Sequence, residues 1–361
     1  MPTSQPSDFC VRRDDLHQMR WMEPQADPQR ELAAGEVLLR IDHYGLSSNN
    51  ITYGLLGDAL RYWDFFPAQA SWGRIPVWGY ADVVASRVPE LSEGERVFGY
   101  LPMSQHLVVR PARINPALFV DASEHRSALP PLYQQYFRTP RGAADEQLRT
   151  VLRPLYGTGF LLDDWLADNA QFGARRVLLA SASSKTALSA AFTMARRASR
   201  DFEIVALTSG RNAEFCGKVG YYDRVISYPE LTALSGDVPS MLIDMAGDPL
   251  VTRQVHTQLG AALVRSSIVG LTHQGSLAPA ADLPGPKPEL FFAPDHIQKR
   301  TRELGPEEFR RRLDESQDAF FESTRGWLEL VHAMGPVGIE QAYLRVLNGQ
   351  LAPSQAMLLQ P

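Results

Sequence analysis

Two short stretches hold the residues whose types and spacing suit chemistry. The first is Ser47-Ser48-Asn49-Asn50-Ile51-Thr52-Tyr53. Asn50 and Tyr53 are three apart, so on a helical turn they share a face, and an amide and a phenol there can both donate to one oxygen as negative charge develops on it. Asn49 is a further candidate donor beside them. Turn capping is the alternative use of the two asparagines, and a buried, hydrogen-bonded phenol the alternative for Tyr53.

The second stretch is Ser181-Ala182-Ser183-Ser184-Lys185-Thr186-Ala187, which follows an apolar run. A turn from strand to helix is where a pyrophosphate meets a helix N-terminus, normally through glycines that let the backbone approach. Here each glycine place holds Ser or Ala, so the hydroxyls would supply donors and Lys185 a cation. A tight turn with no ligand is the other reading. A triphosphate loop is not expected, because it needs glycine at the positions of Leu179 and Ser184. At the end of the next apolar run stands Thr208-Ser209-Gly210-Arg211-Asn212, with no acid until Glu214. An acid there would select the unphosphorylated dinucleotide, whereas a small polar loop with arginine admits a 2′-phosphate, so a bound dinucleotide is expected to be NADP.

Tyr62, Trp63, Phe65, Phe66, Trp72 and Trp78 gather aromatic surface within seventeen residues. Such a wall suits a flat apolar ligand, and Tyr62, Trp63, Phe66 and Trp78, with Tyr136 further on, are the candidate substrate-lining residues. Core packing or a dimer contact is the plainer use of each. Other constellations are missing: there is no GxSxG, no SxxK at the serine cluster and no CxxC, and the eight histidines make no HExxH. Two cysteines, Cys10 and Cys216, cannot form a multi-thiolate zinc site or a disulfide framework, and no metal is expected.

These residues need elements to position them. Glu36–His43, Gly79–Ser86, Arg96–Leu101 and Gln105–Arg110 read as short strands punctuated by Gly and Pro, and the Pro- and Tyr-rich stretch 129–140 as an irregular excursion. From residue 151 the period changes. A helix over 155–170 is followed by strands at Arg175–Ser181, Glu203–Thr208, Arg224–Ser227, Ser240–Asp244, Ser266–Thr272 and Glu289–Ala293. Helices at Lys185–Arg197, Ala213–Val219 and Pro249–Leu259 alternate with them. Apolar strands alternating with amphipathic helices imply a doubly wound parallel sheet. Three helices are expected beyond it, one starting at Pro306 and the others at Glu322–Met334 and Ile339–Leu347.

The 361 residues carry 36 Lys+Arg against 41 Asp+Glu, a net charge of −5, with 44% hydrophobic residues. This is a core-forming chain of one or two domains with no basic face for nucleic acid. No apolar run approaches the ~20 residues of a membrane span, and the N-terminus lacks the apolar core of a signal peptide, so a cytoplasmic location is expected.

The order of these pieces resembles the medium-chain dehydrogenase/reductase superfamily, in its zinc-independent quinone oxidoreductase and enoyl reductase branch. Gly35-Glu-Val-Leu-Leu-Arg-Ile-Asp-His-Tyr-Gly-Leu-Ser looks like the family's opening strand. Ile75-Pro-Val-Trp-Gly-Tyr-Ala-Asp-Val-Val resembles its P-x-x-G-x-x-x-x-G-x-V segment, and Glu93-Gly-Glu-Arg-Val-Phe-Gly is close to its GDRVFG strand. Arg176-Val-Leu-Leu-Ala-Ser-Ala-Ser-Ser-Lys-Thr-Ala aligns with VLVxGASGGVG, and Ile339-Glu-Gln-Ala-Tyr with the C-terminal EAxxxxxxG helix. The resemblance covers about nine tenths of the chain. The insert at 60–67 and the stretch 129–140 depart from it and point to a divergent, uncharacterised DUF-type branch.

The resemblance implies an α/β protein with a β-rich GroES-like catalytic domain at 1–150 and 323–361 and a doubly wound Rossmann-type dinucleotide domain at 151–322. It also implies a homodimer. It places Ser181, Ser183, Ser184, Lys185 and Thr186 at the diphosphate, Thr208, Ser209 and Arg211 at the 2′-phosphate, and Tyr228 at the adenosine end. Leu271, Thr272 and His273 fall along the nicotinamide. Zinc-binding members carry a cysteine in the first loop and Gly-His-Glu later; this chain has Ser47 and Ser48, and Gly79-Tyr80-Ala81. The expected function is NADPH-dependent, zinc-independent reduction of an activated C=C or C=O in a quinone, enone or similar apolar carbonyl compound. The rival expectations are a ligand-binding or sensor protein that has lost its cofactor, and an isomerase or lyase retaining NADP.

Overall fold

A computed structural model describes residues 7–270 and 283–361. The chain divides into two compact units: Met1–Val151 with Glu329–Leu351 and Gln355–Pro361, and Leu152–Leu328 with Ala352–Ser354.

The first unit is built on a nine-stranded sheet. Val37–Leu46 pairs antiparallel with Pro76–Ser86, which pairs with Arg96–Pro102, then Gln135–Thr139 and Leu118–Asp121. On the other side of Val37–Leu46 lies Gln355–Gln360, followed by Glu329–Met334 in parallel. Val37, Leu39, Ile41, Val77, Ala81, Val83, Val97 and Leu101 supply the core under this sheet. Register brings Trp78 opposite Tyr100 and Gly79 opposite Gly99. Both glycines are required by packing: a Cβ at Gly79 would lie 2.3 Å from the His43 carbonyl oxygen, and one at Gly99 2.5 Å from the Tyr136 ring.

The stretch 129–140 is more ordered than its composition suggests. A 3-10 turn at Pro131–Gln134 leads into the strand Gln135–Thr139, whose sheet partners are two segments already in place.

The second unit holds six parallel strands in the spatial order Arg224–Ser227, Glu203–Thr208, Arg176–Ala180, Ser240–Asp244, Leu263–Ile268, Glu289–Leu290. Counted along the chain this is 3-2-1-4-5-6, the doubly wound order that switches direction beside the first strand. Burial on both faces explains the unbroken apolar runs. Val177, Leu179, Ile204, Met241 and Ile243 pack on one face against Leu161, Leu162, Leu166, Ala187 and Ala190. Leu178, Ala180, Val205, Leu207 and Leu242 pack on the other against Leu231, Val251, Val255 and Leu259.

Several elements differ from the sequence reading. The helix expected over 322–334 is split: Pro306–Thr324 is helical, but Glu329–Met334 is a strand. A helix at Ala293–Leu304 and a strand at Gln355–Gln360 were not anticipated, and the strand expected at 289–293 is only Glu289–Leu290.

Candidate functional site

In the first unit, Ser47-Ser48-Asn49-Asn50 begins the helix Ser48–Leu55. Ser47 and Asn50 form a reciprocal cap, with Asn50 Oδ1 accepting from the Ser47 amide at 2.8 Å and Asn50 Nδ2 donating to the Pro76 carbonyl at 2.9 Å. This corrects the assignment of Asn50 as an oxygen donor: its buried amide serves the cap and the neighbouring strand.

Tyr53, one turn on, projects into a cage of aromatic rings. Ring centroids lie 4.5 Å from Tyr62, 5.6 Å from Tyr100 and 6.3 Å from Tyr133, and Trp78 sits 5.1 Å from Tyr100. Burial pushes the Tyr53 phenol above its ordinary range, while donors on Trp78, Asn49, Tyr133 and Tyr100, in that order, pull it back by favouring the ionised form. Tyr100 and Tyr133 stand well above the ordinary range, with burial first and the neighbouring phenols next. The structure therefore brings Tyr53, Asn49, Tyr62 and Trp78 together. It adds Tyr100 and Tyr133, which the sequence reading missed. Tyr100 was recoverable from period two, since it follows Phe98 on one face of Arg96–Pro102 opposite Trp78. Tyr133 carried no comparable local signal.

Two expected substrate-lining residues, Trp63 and Tyr136, belong elsewhere, and a third, Phe66, stands at the edge of the cage with its ring 6.0 Å from that of Tyr100. Trp63 is 1% exposed in the core, where Gly57 and Gly73 admit its indole: a Cβ at either would fall within 2.4 Å of the ring. Tyr136 is fully buried, stacks on Phe119 at 5.2 Å, donates to the Tyr100 carbonyl at 2.8 Å and accepts from Arg126. Phe66 lies under the Arg126 guanidinium, 4.5 Å from its ring, beside a separate cavity of about 210 Å³.

Among the described residues, one group has metal-ligand spacing: Asp42, His43 and Glu146. A cation already sits there. Arg96 Nη2 is 2.5 Å from Asp42, Nη1 is 2.9 Å from Asp82, and the same guanidinium contacts Glu146.

In the second unit, Ser181 follows the first strand with φ +55, the left-handed conformation that glycine supplies in such turns. Ser184 caps the helix Lys185–Ala195 by accepting from the Ala187 amide at 3.2 Å. The turn is also braced from outside. The Ser181 amide donates to Tyr228 Oη at 3.0 Å, Asn212 donates to Ser183 Oγ at 2.9 Å, and Tyr222 Oη donates to the Ala182 carbonyl at 2.6 Å. Thr186 opens the helix beside Lys185.

Lys185 corrects the expectation of a phosphate-facing cation. Its ammonium is buried and donates to the Pro353 carbonyl at 2.8 Å, and burial draws its pKa down to about 7. At the end of the second strand, Thr208 is buried against Cys216, and Ser209 caps the helix Gly210–Val219 with its hydroxyl buried and unpartnered. Arg211 is exposed in that helix's first turn. Leu271, Thr272 and His273 lie outside the described residues.

An unforeseen acid closes the fourth strand of this series, Ser240–Asp244. Asp244 is buried and raised by that burial, and accepts from the Ala246 and Gly247 amides and the Thr252 hydroxyl, so it holds the following loop.

Solved structures share this arrangement along nearly the whole chain. CurA from Vibrio vulnificus in complex with NADPH is 13% identical with a TM-score of 0.63, covering 98% of this chain and 97% of that one. YhdH from E. coli K-12 with bound NADPH is 16% identical, TM-score 0.55, covering 98% and 99%. A putative NADPH:quinone reductase from Mesorhizobium loti is 12% identical, TM-score 0.57, covering 92% and 88%. The chain shares the α/β fold of these structures, with a GroES-like and a Rossmann-type unit. Comparison with curated proteins finds no significant match. The chain belongs to the family described as "Protein of unknown function (DUF2855)", whose model matches residues 44–352. No helix among the described residues is long and apolar enough to cross a membrane.

Proposed function

We propose that the protein is an NADPH-dependent, zinc-independent reductase of an activated C=C or C=O in a quinone, enone or related apolar carbonyl compound. The unit built on the nine-stranded sheet is the catalytic domain and the parallel-sheet unit the dinucleotide domain. The observation that carries this reading is the Ser181 turn, in which a left-handed serine with only small neighbours follows the first strand of a 3-2-1-4-5-6 sheet. It is the conformation that glycine gives a dinucleotide turn, and withdrawal of Tyr228 from the Ser181 amide would let a diphosphate approach the backbone there.

The residues fit NADP best at its adenosine end. Ser209 offers a buried hydroxyl that has no protein partner, and the segment Thr208–Arg211 has no acid to repel a 2′-phosphate. Ser181, Ser183 and Thr186 stand at the diphosphate position. NADPH, when bound, supplies the hydride. The chain's task is then to stabilise charge on the substrate oxygen and deliver a proton to it. Tyr53 suits both, because its phenol is an O–H donor and the polar groups of Trp78 and Asn49 favour the ionised form that would be left once the proton is given away. Tyr62 and Trp78 supply apolar walls for a flat acceptor. Homodimer formation and a cytoplasmic location are part of the same proposal.

A second reading is favoured by one observation: Ser181, Ser183, Ser184 and Lys185 all have partners inside the protein. A turn satisfied in this way suits a ligand-binding or sensor protein that has given up its cofactor. Fluorescence titration with NADPH and NADH separates the two readings. Binding of NADPH, with its oxidation by members of a quinone and enone panel, is expected of the reductase; no binding at high micromolar NADPH rejects it.

A further inference from the structure

The cavity of about 210 Å³ beside Phe66, within the first unit, is lined by two buried guanidiniums, Arg74 and Arg126. A buried cation needs acceptors around it. Asp8 meets Arg74 squarely, accepting from Nε at 2.9 Å and from Nη2 at 2.7 Å. Arg126 is compensated less fully. Its Nε donates to the Phe65 carbonyl at 3.2 Å and its Nη1 to Tyr136 Oη at 3.1 Å, both neutral acceptors. Its carboxylate neighbour is Asp121, 3.0 Å from Nη1. Asp121 Oδ1 already accepts from the Arg110 amide and from the Ser123 amide and hydroxyl, while Oδ2 makes no hydrogen bond among the described residues. Arg126 Nη2 likewise makes none among the described residues. Ser104 lines the same cavity, is 1% exposed, and its hydroxyl has no partner among the described residues. Two buried donors without acceptors at one cavity, one of them cationic, call for an acceptor from outside the chain.

We propose that this cavity binds a small organic carboxylate, with Arg126 and Ser104 as its donors and Phe66, Pro67 and Pro102 as the wall for its apolar body. A carboxylate can accept from a guanidinium and a hydroxyl at once through its two oxygens. Charge sets the class. Arg74 is matched by Asp8 and Arg126 by Asp121, and Arg30, the exposed cation of the lining, is paired with Glu36. Burial lowers the pKa of His106 and His125, which also line the cavity, so both are neutral at neutral pH. Such a lining suits one negative charge, and a phosphate dianion would be under-compensated there. A cavity of about 150 Å³ takes a benzene ring, so this volume has room for a ring and its carboxylate. The site is separate from the proposed reductase chemistry and does not rest on it. The Phe65 and Phe66 rings, 5.2 and 6.0 Å from that of Tyr100, are its shared wall with the aromatic cage, but the lining residues include neither Tyr53 nor Trp78.

The test titrates the full chain with benzoate, followed by calorimetry and by the imidazole NMR resonances of His106 and His125, assigned by their loss in His106→Gln and His125→Gln. Benzoate should bind with a Kd below about 1 mM and shift both resonances. Benzamide, which keeps the shape without the charge, and phenyl phosphate should each bind at least about tenfold more weakly. Ser104→Ala should weaken benzoate about fivefold, the worth of one net hydrogen bond, and Arg126→Gln should weaken it further. Should Arg126→Gln fail to fold, Ser104→Ala decides, since it removes only an unsatisfied hydroxyl. Tyr53→Phe should leave benzoate affinity unchanged. No binding at about 10 mM benzoate, unmoved His106 and His125 resonances, or unchanged affinity in Ser104→Ala overturns the site. Equal binding of benzamide or phenyl phosphate overturns the ligand class, and loss of binding in Tyr53→Phe puts benzoate in the cage and overturns the site as well.

Discussion

The phenol oxygen of Tyr228 accepts the backbone amide of Ser181 at 3.0 Å, closing from the third strand the amide that follows the first. In a dinucleotide turn that region faces the diphosphate, so under the proposed function a bound phosphate would compete with the tyrosine for one donor. Tyr228→Phe keeps the ring and releases the amide. We expect it to tighten NADPH binding about fivefold, the worth of one net hydrogen bond, and to lower the stability of the free protein by about 1 kcal/mol. Paired fluorescence titrations and urea melts check this; weaker NADPH binding would show that the phenol itself holds the cofactor.

Ser209 carries a buried hydroxyl that no group among the described residues satisfies. Ser209→Ala removes that unmet group, so the free protein should gain about 1 kcal/mol in urea denaturation while NADPH affinity falls. A variant that gained stability and kept its NADPH affinity would take Ser209 out of the cofactor site.

Lys185 sets a pH dependence. Its amine titrates near 10.5 when unfolded and is drawn down to about 7 by burial in the native protein. Between these values the unfolded chain holds the extra proton, so stability rises with pH from about 7 towards 10.5 and the penalty is complete below about 7. Lys185→Met should flatten this slope, with its largest stabilising effect at the acid end. Denaturation midpoints measured across the range for both proteins provide the check, and parallel curves would contradict the assignment.

Arg96 is nine-tenths or more buried and joins Asp42, Asp82 and Glu146. Arg96→Met would leave the buried Asp82, the largely buried Glu146 and the half-exposed Asp42 without their shared guanidinium, at a cost of about 3 kcal/mol. Added zinc should restore part of that loss, because Asp42, His43 and Glu146 would then have no resident cation. A chelator-reversible rise in melting temperature is the readout.

Much of the second unit was legible in the sequence because its strands are buried on both faces and its helices are amphipathic, so the period switches sharply. The strands Glu203–Thr208, Arg224–Ser227 and Ser240–Asp244 and the helix Pro249–Leu259 coincide with the expected segments. Glu329–Met334 misled for a physical reason. Its Glu, Leu, Ala and Met favour helix, and only pairing with the distant Gln355–Gln360 makes it a strand. The candidate site was legible as residue types more than as contacts. Tyr53, Tyr62 and Trp78 do meet, but Trp63 and Tyr136 are core rings that composition alone could not separate from them. Lys185 shows the same limit: a cation beside a serine turn invites a phosphate, yet its partner, Pro353, lies far along the chain.

The strand Gln355–Gln360 lies between Glu329–Met334 and Val37–Leu46, inside the sheet that opens in sequence with Val37–Leu46. On the ribosome, that sheet therefore waits for a strand translated after the whole of Leu152–Leu328. The parallel-sheet unit, nearly continuous in sequence, can close first. Until residues 355–360 are delivered, the Tyr44–Leu46 end of that strand stays open and vulnerable to mispairing, while its Val37–Arg40 end is already paired with His106–Val109, which makes this nascent chain a candidate client for holding chaperones.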